Sequence, residues 1–212
     1  MNRVILIVSS LIMFFSCSKN NNTGSGLPLT TSGVIPLSVG NYWQYNKISY
    51  DSTGSPIDTT TDEIDILGET GINGVIYYQQ NQTSITNINS SSFFVNVDSN
   101  TLEKIDSSTT YTFFKRVSTD STAIDSWADT VTSQCKGHNY LYGFTGTTNI
   151  DGYSCLRNVV YVNNCTGFNF EQWVYYVQYG FGFVRIEHYV LNQSGSFYLQ
   201  FAEDLKNYHI NH

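Results

Sequence analysis

Trp173-Val174-Tyr175-Tyr176-Val177-Gln178-Tyr179-Gly180-Phe181-Gly182-Phe183-Val184-Arg185-Ile186-Glu187-His188-Tyr189-Val190 decides the fold class. In a strand, Trp173, Tyr175, Val177 and Tyr179 fall on one face and Val174, Tyr176 and Gln178 on the other, because successive side chains alternate. After Gly180-Phe181-Gly182 the alternation resumes, with Val184, Ile186, His188 and Val190 set against Arg185, Glu187 and Tyr189. Residues 192–196 then read as a hairpin turn into a further extended segment at 197–201. Consecutive strands joined by short polar turns predict an antiparallel meander.

The same pattern extends toward the N-terminus. Residues 42–50, 59–67, 75–80, 93–97, 101–105 and 110–117 read as short strands separated by turn residues at hairpin spacing. The 16 Tyr, 13 Phe and 3 Trp, among abundant Ser, Thr, Val and Ile, suit strands better than helices. Residues 121–128 and 202–208 could each hold a helical turn or two, but neither carries a sustained 3.6-residue apolar stripe. The expectation is an all-β, single-domain fold with little helix. Its antiparallel meander is strongly curved, as a barrel, half-barrel or sandwich.

The first residues have a different logic. Met1-Asn2-Arg3 precedes an apolar run from Val4 to Phe15 and then Ser16-Cys17. A basic start, an apolar stretch of about a dozen residues and a small residue before the cut make an export signal. The run is too short for a spanning helix, which needs ~20 residues. Phe14-Phe15-Ser16-Cys17 resembles the cleavage site of bacterial lipoprotein signals, in the looser form used by Bacteroidota, Phe15 being larger than the common residue there. The resemblance implies cleavage after Ser16 and acylation of Cys17, palmitate included, on its sulfur and amine. Two or more chains, at ~0.8 kcal/mol per buried CH₂, hold a protein stably on a membrane. Residues 17–33, with Asn20-Asn21-Asn22-Thr23-Gly24-Ser25-Gly26, then form a flexible tether, and 34–212 the β-domain. By resemblance to enterobacterial lipoprotein sorting, Ser18 after the cysteine implies the outer membrane. The absence of an acidic run after Cys17 favours its periplasmic face over the cell surface.

Two motifs bracket the domain. Pro36-Leu37-Ser38-Val39-Gly40-Asn41-Tyr42-Trp43-Gln44-Tyr45 resembles the opening of small Bacteroidota lipoproteins, with its Pro-Leu, Gly-Asn, Trp and Tyr. Gln172-Trp173-Val174-Tyr175 followed by Gly180-Phe181-Gly182-Phe183-Val184 resembles their closing motif. The resemblance implies location and fold rather than an activity. Read from the residues alone, Gly40-Asn41 suits a tight turn into a strand, and Gly180 and Gly182 suit a bulge or close strand approach. Trp43, Tyr45, Trp173 and Tyr175 are either core anchors or a ligand face that stacks on a sugar or lines an apolar cavity.

Composition excludes some partners. The formal net charge is −7, and removal of Arg3 with the signal takes it to −8. Nucleic acid would require clustered Lys and Arg, and anionic lipid heads would require a basic patch. Cys135, Cys155 and Cys165 are an odd number in an oxidising compartment, so one bridge at most can form among them, unless all three pack as buried thiols.

Catalytic motifs are sparse. No Gly-x-Ser-x-Gly elbow, phosphate-binding loop or His-Glu-x-x-His occurs. No cofactor is implied. His209 and His212 sit in a C-terminal tail rather than a zinc site, and Asp58, Asp62, Glu63 and Asp65 read as a solvated acidic face rather than a calcium site. Asp51-Ser52-Thr53 and three similar triplets are similar to the sequons at which Bacteroidota O-glycosylate exported proteins. The leading expectation is a non-catalytic envelope module that binds another envelope protein or a small apolar or sugar ligand. The alternatives are a carboxylate hydrolase, with Glu187 beside Glu171 or Asp151, and a carrier of an apolar ligand in a β-cavity. A continuous aromatic core would favour binding, a pocket where two or more of these carboxylates or histidines meet would favour hydrolysis, and a deep apolar cavity with few charges would favour the carrier.

Overall fold

A computed structural model describes residues 34–72, 75–84, 89–97, 100–104, 110–132, 135–163 and 169–211. The proposed signal, Cys17, Cys165 and His212 lie outside the described residues. The strands are β1 Tyr42–Tyr50, β2 Pro56–Ile72, β3 Val75–Ser84, β4 Asn89–Val97, β5 Asn100–Lys104, β6 Thr110–Phe114, β7 Thr122–Thr132, β8 Cys135–Ile150, β9 Tyr153–Asn163, β10 Asn169–Gln178, β11 Gly182–Leu191 and β12 Phe197–His209. The described residues contain no helix. Residues 122–128 belong to β7 and 202–208 to β12, so the two short helical turns that local sequence allowed do not form. In β12 this segment is paired on both sides, to β1 and to β11, and those ladders override the helix preference of Ala, Glu, Leu and Lys.

All twelve strands form one antiparallel sheet in the order β6-β5-β4-β3-β2-β1-β12-β11-β10-β9-β8-β7. The chain is therefore two meanders, β1–β6 and β7–β12, joined where the first strand pairs with the last, from Tyr42 opposite His209 to Ser49 opposite Phe201. The sheet rolls up. Phe113 on edge strand β6 lies 5.2 Å from the ring of Tyr175 on β10 and 5.8 Å from that of Phe183 on β11, contacts that a flat sheet could not make across so many strands. It does not close, since no ladder joins β6 to β7. Side chains bridge this seam instead. Tyr111 stacks on Trp127 at 4.0 Å, and the Thr112 amide donates to Asp125 Oδ2 at 2.6 Å.

The core fills one end of the concave face. Trp43 and Tyr45 of β1, Ile64 and Ile66 of β2, Phe94, Leu156, Val177, Phe183 and Ile186 are buried together, and Val34, Ile35 and Leu37 cover them from the end. This covering segment is tied down by three bonds to its carbonyls. Gly180 N–H donates to Val34 O, Asn96 Nδ2 to Ile35 O and Asn41 Nδ2 to Pro36 O. The opening and closing motifs meet here. Trp43 Nε1 donates to Phe181 O at 3.0 Å and the Tyr45 hydroxyl to Phe183 O at 3.2 Å. Gly182 has φ +106°, and a Cβ there would stand 2.9 Å from the Trp43 ring, so both backbone and packing demand glycine. Gly40, at φ +89°, makes the expected turn into β1.

Candidate functional site

Beyond the core, toward the other end of the concave face, the side chains become polar. The register sets this up: Lys47 lies opposite Glu203, and Asp62 opposite Tyr45, all on the inward parity. Lys47 Nζ reaches Glu203 Oε1 at 3.1 Å and Asp62 Oδ2 at 3.6 Å and stands 4.0 Å above the Phe201 ring. Both carboxylates are 1% exposed. Asp62 also accepts from Gln82 Nε2 and the Glu63 amide. Burial, with Asp62 adding its charge and Lys47 opposing, pushes the Glu203 carboxyl up to about 7. Burial first, then Glu203 and Asp62, also pushes the Tyr45 hydroxyl up, so it remains a donor.

Phe201 links this group to a second one. His188 lies 5.0 Å from Phe201, stacks on Trp173 at 4.1 Å, and meets Glu171 Oε2 through Nε2 at 3.2 Å. That hydrogen bond, above all, holds the Glu171 carboxyl below its usual value against the opposing effect of burial. Glu171 thus stays ionised in a partly enclosed place.

Next to Glu171 the concave face is hollow. A cavity of about 300 Å³ lies between the seam and β8–β10, walled by Tyr111, Phe113, Trp127, Trp173 and Tyr175, with Val160, Val162, Asn139 and Glu171 completing it. Its size is at the low end for small-molecule sites. His188 is behind Trp173 and does not line it. A larger hollow, about 570 Å³, lies on the convex face beside Tyr140, Tyr142, Phe144 and Tyr161, with no ionised group among the described residues of its lining.

The four aromatic residues singled out in the sequence divide into two pairs. Trp43 and Tyr45 are 0% exposed and belong to the core. Trp173 and Tyr175 are partly open and line the cavity. The carboxylate pairing does not form. Glu171 points inward to His188, whereas Glu187 is on the convex face with Arg185 (2.7 Å), Tyr176 and Tyr189, and Asp151 sits in an exposed turn. Nor is the interior a continuous apolar chamber, because Lys47, Asp62 and Glu203 occupy it. Of the acidic cluster, Asp62 is internal, Asp58 is exposed, and Asp65 is pushed up to about 6 by burial and the neighbouring Glu63. No group of three or more His, Cys, Asp or Glu among the described residues is placed to hold a metal. His209 stacks on Tyr42 at 6.0 Å.

Cys155 is a fully buried free thiol, pushed up to about 12 by burial, and is chemically quiet. It pairs with Thr148, whereas Cys135 begins the same β8, so on the order of 40 Å of strand separates the two and a Cys135–Cys155 bridge cannot form. Lys47 and Glu203 were not singled out in the sequence. They lie 156 positions apart, and only the β1–β12 pairing brings them together.

Neither a protein-family model nor a curated protein matches the sequence. Solved structures do share the fold. One is a Bacteroides fragilis protein assigned as exported, with a YmcC-like fold, at TM-score 0.54 and 11% identity, covering 84% of this chain and 99% of its own. Another is a Parabacteroides distasonis protein assigned as a lipoprotein, at TM-score 0.52 and 10% identity, covering 85% of this chain and 100% of its own. The rolled, open all-β sheet is a YmcC-like fold.

Proposed function

We propose that this chain is a lipid-anchored envelope protein whose β-domain holds a small ligand in the cavity beside Glu171. The carrying observation is the hollow in the concave face: five aromatic side chains surround it, beside a buried apolar cluster at the other end. The residues around Ser16-Cys17 support acylation of Cys17 and a tether to the membrane, and the two proteins of like fold, one assigned as exported and one as a lipoprotein, agree with an envelope location. Ser18 favours the outer membrane, and the lack of an acidic run after Cys17 favours its periplasmic face.

The Glu171–His188 contact is the observation that favours a hydrolase instead, since a carboxylate and an imidazole meet at 3.2 Å. A molecule in the cavity would touch Glu171 but not His188, which Trp173 covers. Binding therefore fits the geometry better than acid–base chemistry.

Native mass spectrometry on protein extracted from its own host's membranes tests both parts. The expected spectrum shows acyl mass on Cys17 and a bound molecule of a few hundred daltons, the latter missing from a Val162→Trp variant that fills the cavity. Unmodified Cys17 would overturn the anchor. A bound molecule retained by Val162→Trp would overturn the cavity.

A further inference from the structure

The cavity's walls also limit the charge of what it takes. Among the described residues, Glu171 is the one charged side chain in its lining. Asn139, also in the wall and 7% exposed, has an enclosed Oδ1 with no hydrogen-bond partner; among the described residues of the concave face Gln80 Oε1 and Glu203 Oε2 also lack donors, against one buried donor without an acceptor, Asn158 Nδ2. Lys47 does not relieve this excess of negative charge and partial charge, because it is committed to Asp62, Glu203 and the Phe201 ring. The aromatic walls add to it. Ring faces carry the negative side of a quadrupole and attract cations in enclosed sites, and Trp127, Tyr111, Trp173, Tyr175 and Phe113 all border the space. An anion would face Glu171 directly. A neutral apolar molecule would cover a held, ionised carboxylate and gain nothing from it.

Resting on the reading of this cavity as a ligand site, we infer that its ligand is an organic ammonium ion, seated with its charge against Glu171 and among the rings of Trp127, Tyr111, Trp173 and Tyr175. An N–H-bearing ammonium would donate to the Glu171 carboxylate and supply the donor that Asn139 Oδ1 lacks. The carbon part of the ion would lie against Val160 and Val162.

The test compares two probes with one carbon skeleton, 3,3-dimethylbutylammonium and 3,3-dimethyl-1-butanol, titrated into the full chain in nonionic detergent, with glucose as a third probe. The ammonium is expected to bind about tenfold or more tighter than the alcohol. Glu171→Gln should remove most of that preference and leave the alcohol within about twofold of its wild-type affinity. Trp127→Ala, which keeps the carboxylate, should weaken the ammonium more than the alcohol. Thermal melting of each variant identifies any that fail to fold. Equal affinity for the two probes in the wild type, or a preference that survives Glu171→Gln, overturns the ammonium inference. Binding of the alcohol or glucose without the ammonium overturns it too, yet leaves the cavity standing as a ligand site. Binding of none of the three ends both.

Discussion

The two ends of the concave face are built from the same strands but do opposite things. At one end β1 contributes Trp43 and Tyr45, β10 Val177 and β11 Phe183, and these are buried together with Val34, Ile35 and Leu37. A few residues along the same strands, β1 contributes Lys47, β10 Glu171 and β11 His188, and the packing gives way to ion pairs, unpartnered oxygens and a hollow. At the first end Trp43 and Tyr45 donate to backbone carbonyls. Toward the second, Asn139 Oδ1 and Glu203 Oε2 have no donor. Buried polar groups without partners each cost on the order of 1–3 kcal/mol, so a fold keeps several together only where something else stands against them. Apolar packing is therefore concentrated at the covered end, and the unpartnered oxygens of Asn139 and Glu203 lie toward the other.

The largest expected effect breaks this contrast if it fails. Trp43→Ala removes a fully enclosed indole and its hydrogen bond and should destabilise the domain by about 3–5 kcal/mol in urea unfolding. Trp173→Ala, on a partly open ring, should cost less than half as much. Equal losses would mean that the two ends are equally packed.

A change of pH should act on the polar end. Burial raises the Glu203 carboxyl from its ordinary 4.5 to about 7, so the folded chain holds that proton more tightly than the unfolded chain does. The resulting stabilisation is fully present below about pH 4.5 and is lost as pH rises through about 7, by an amount on the order of 3 kcal/mol. Glu203→Gln should flatten this part of the stability–pH curve, measured as urea midpoints between pH 5 and pH 8. A variant whose midpoints still fall across that window would locate the titration elsewhere.

The smallest effect concerns the seam. Asp125→Ala deprives the Thr112 amide of its acceptor and should cost about 1–2 kcal/mol. Hydrogen exchange at Thr112 would speed up while the β1–β12 amides stay protected. Uniform acceleration across the sheet would show that the seam and the centre open together.

Much of the fold was legible because its signals are local. Residues 42–50 alternate and are bounded by turn residues, and β1 has those limits; the alternation of Trp173, Tyr175 and Val177 is that of β10, and that of Ile186 and His188 is kept in β11, whereas a bulge at Val184 puts Phe183 in its place on the Ile186 face. Residues 192–196 were readable as a turn, and there Asn192 Oδ1 accepts from the amides of Ser194 and Ser196 while Gly195 takes φ +81°. The strands β7, β8 and β9 were not legible, and over 121–128 the local sequence allows a helical turn instead. Residues 122–128 carry Ala and Asp in an order that argues weakly for any element, and their strand identity comes from pairing with β8. The motif residues at both ends were visible separately, but that Gly182 is the floor under Trp43 required the rolled sheet. The candidate site was half legible. Trp173, Tyr175, Glu171 and Asp62 each drew notice, yet which of them meet depends on strand parity across pairings of high sequence separation, and Lys47 and Glu203 have no local signature.

The pairing of the first strand with the last has an effect on assembly. Because β1 and β12 lie at the centre of the order and β6 and β7 at its edges, the middle of the chain is peripheral and its two ends form the keystone. Until β12 forms, no ladder joins β1–β6 to β7–β11 and only the contacts across the seam and at the covered end link them, so the sheet becomes continuous only with β12 in place. Linking residue 211 to residue 34 and cutting between β6 and β7 would convert the whole architecture into a single run of nearest neighbours, and such a circular permutant should fold faster than the natural order while keeping every pairing in place.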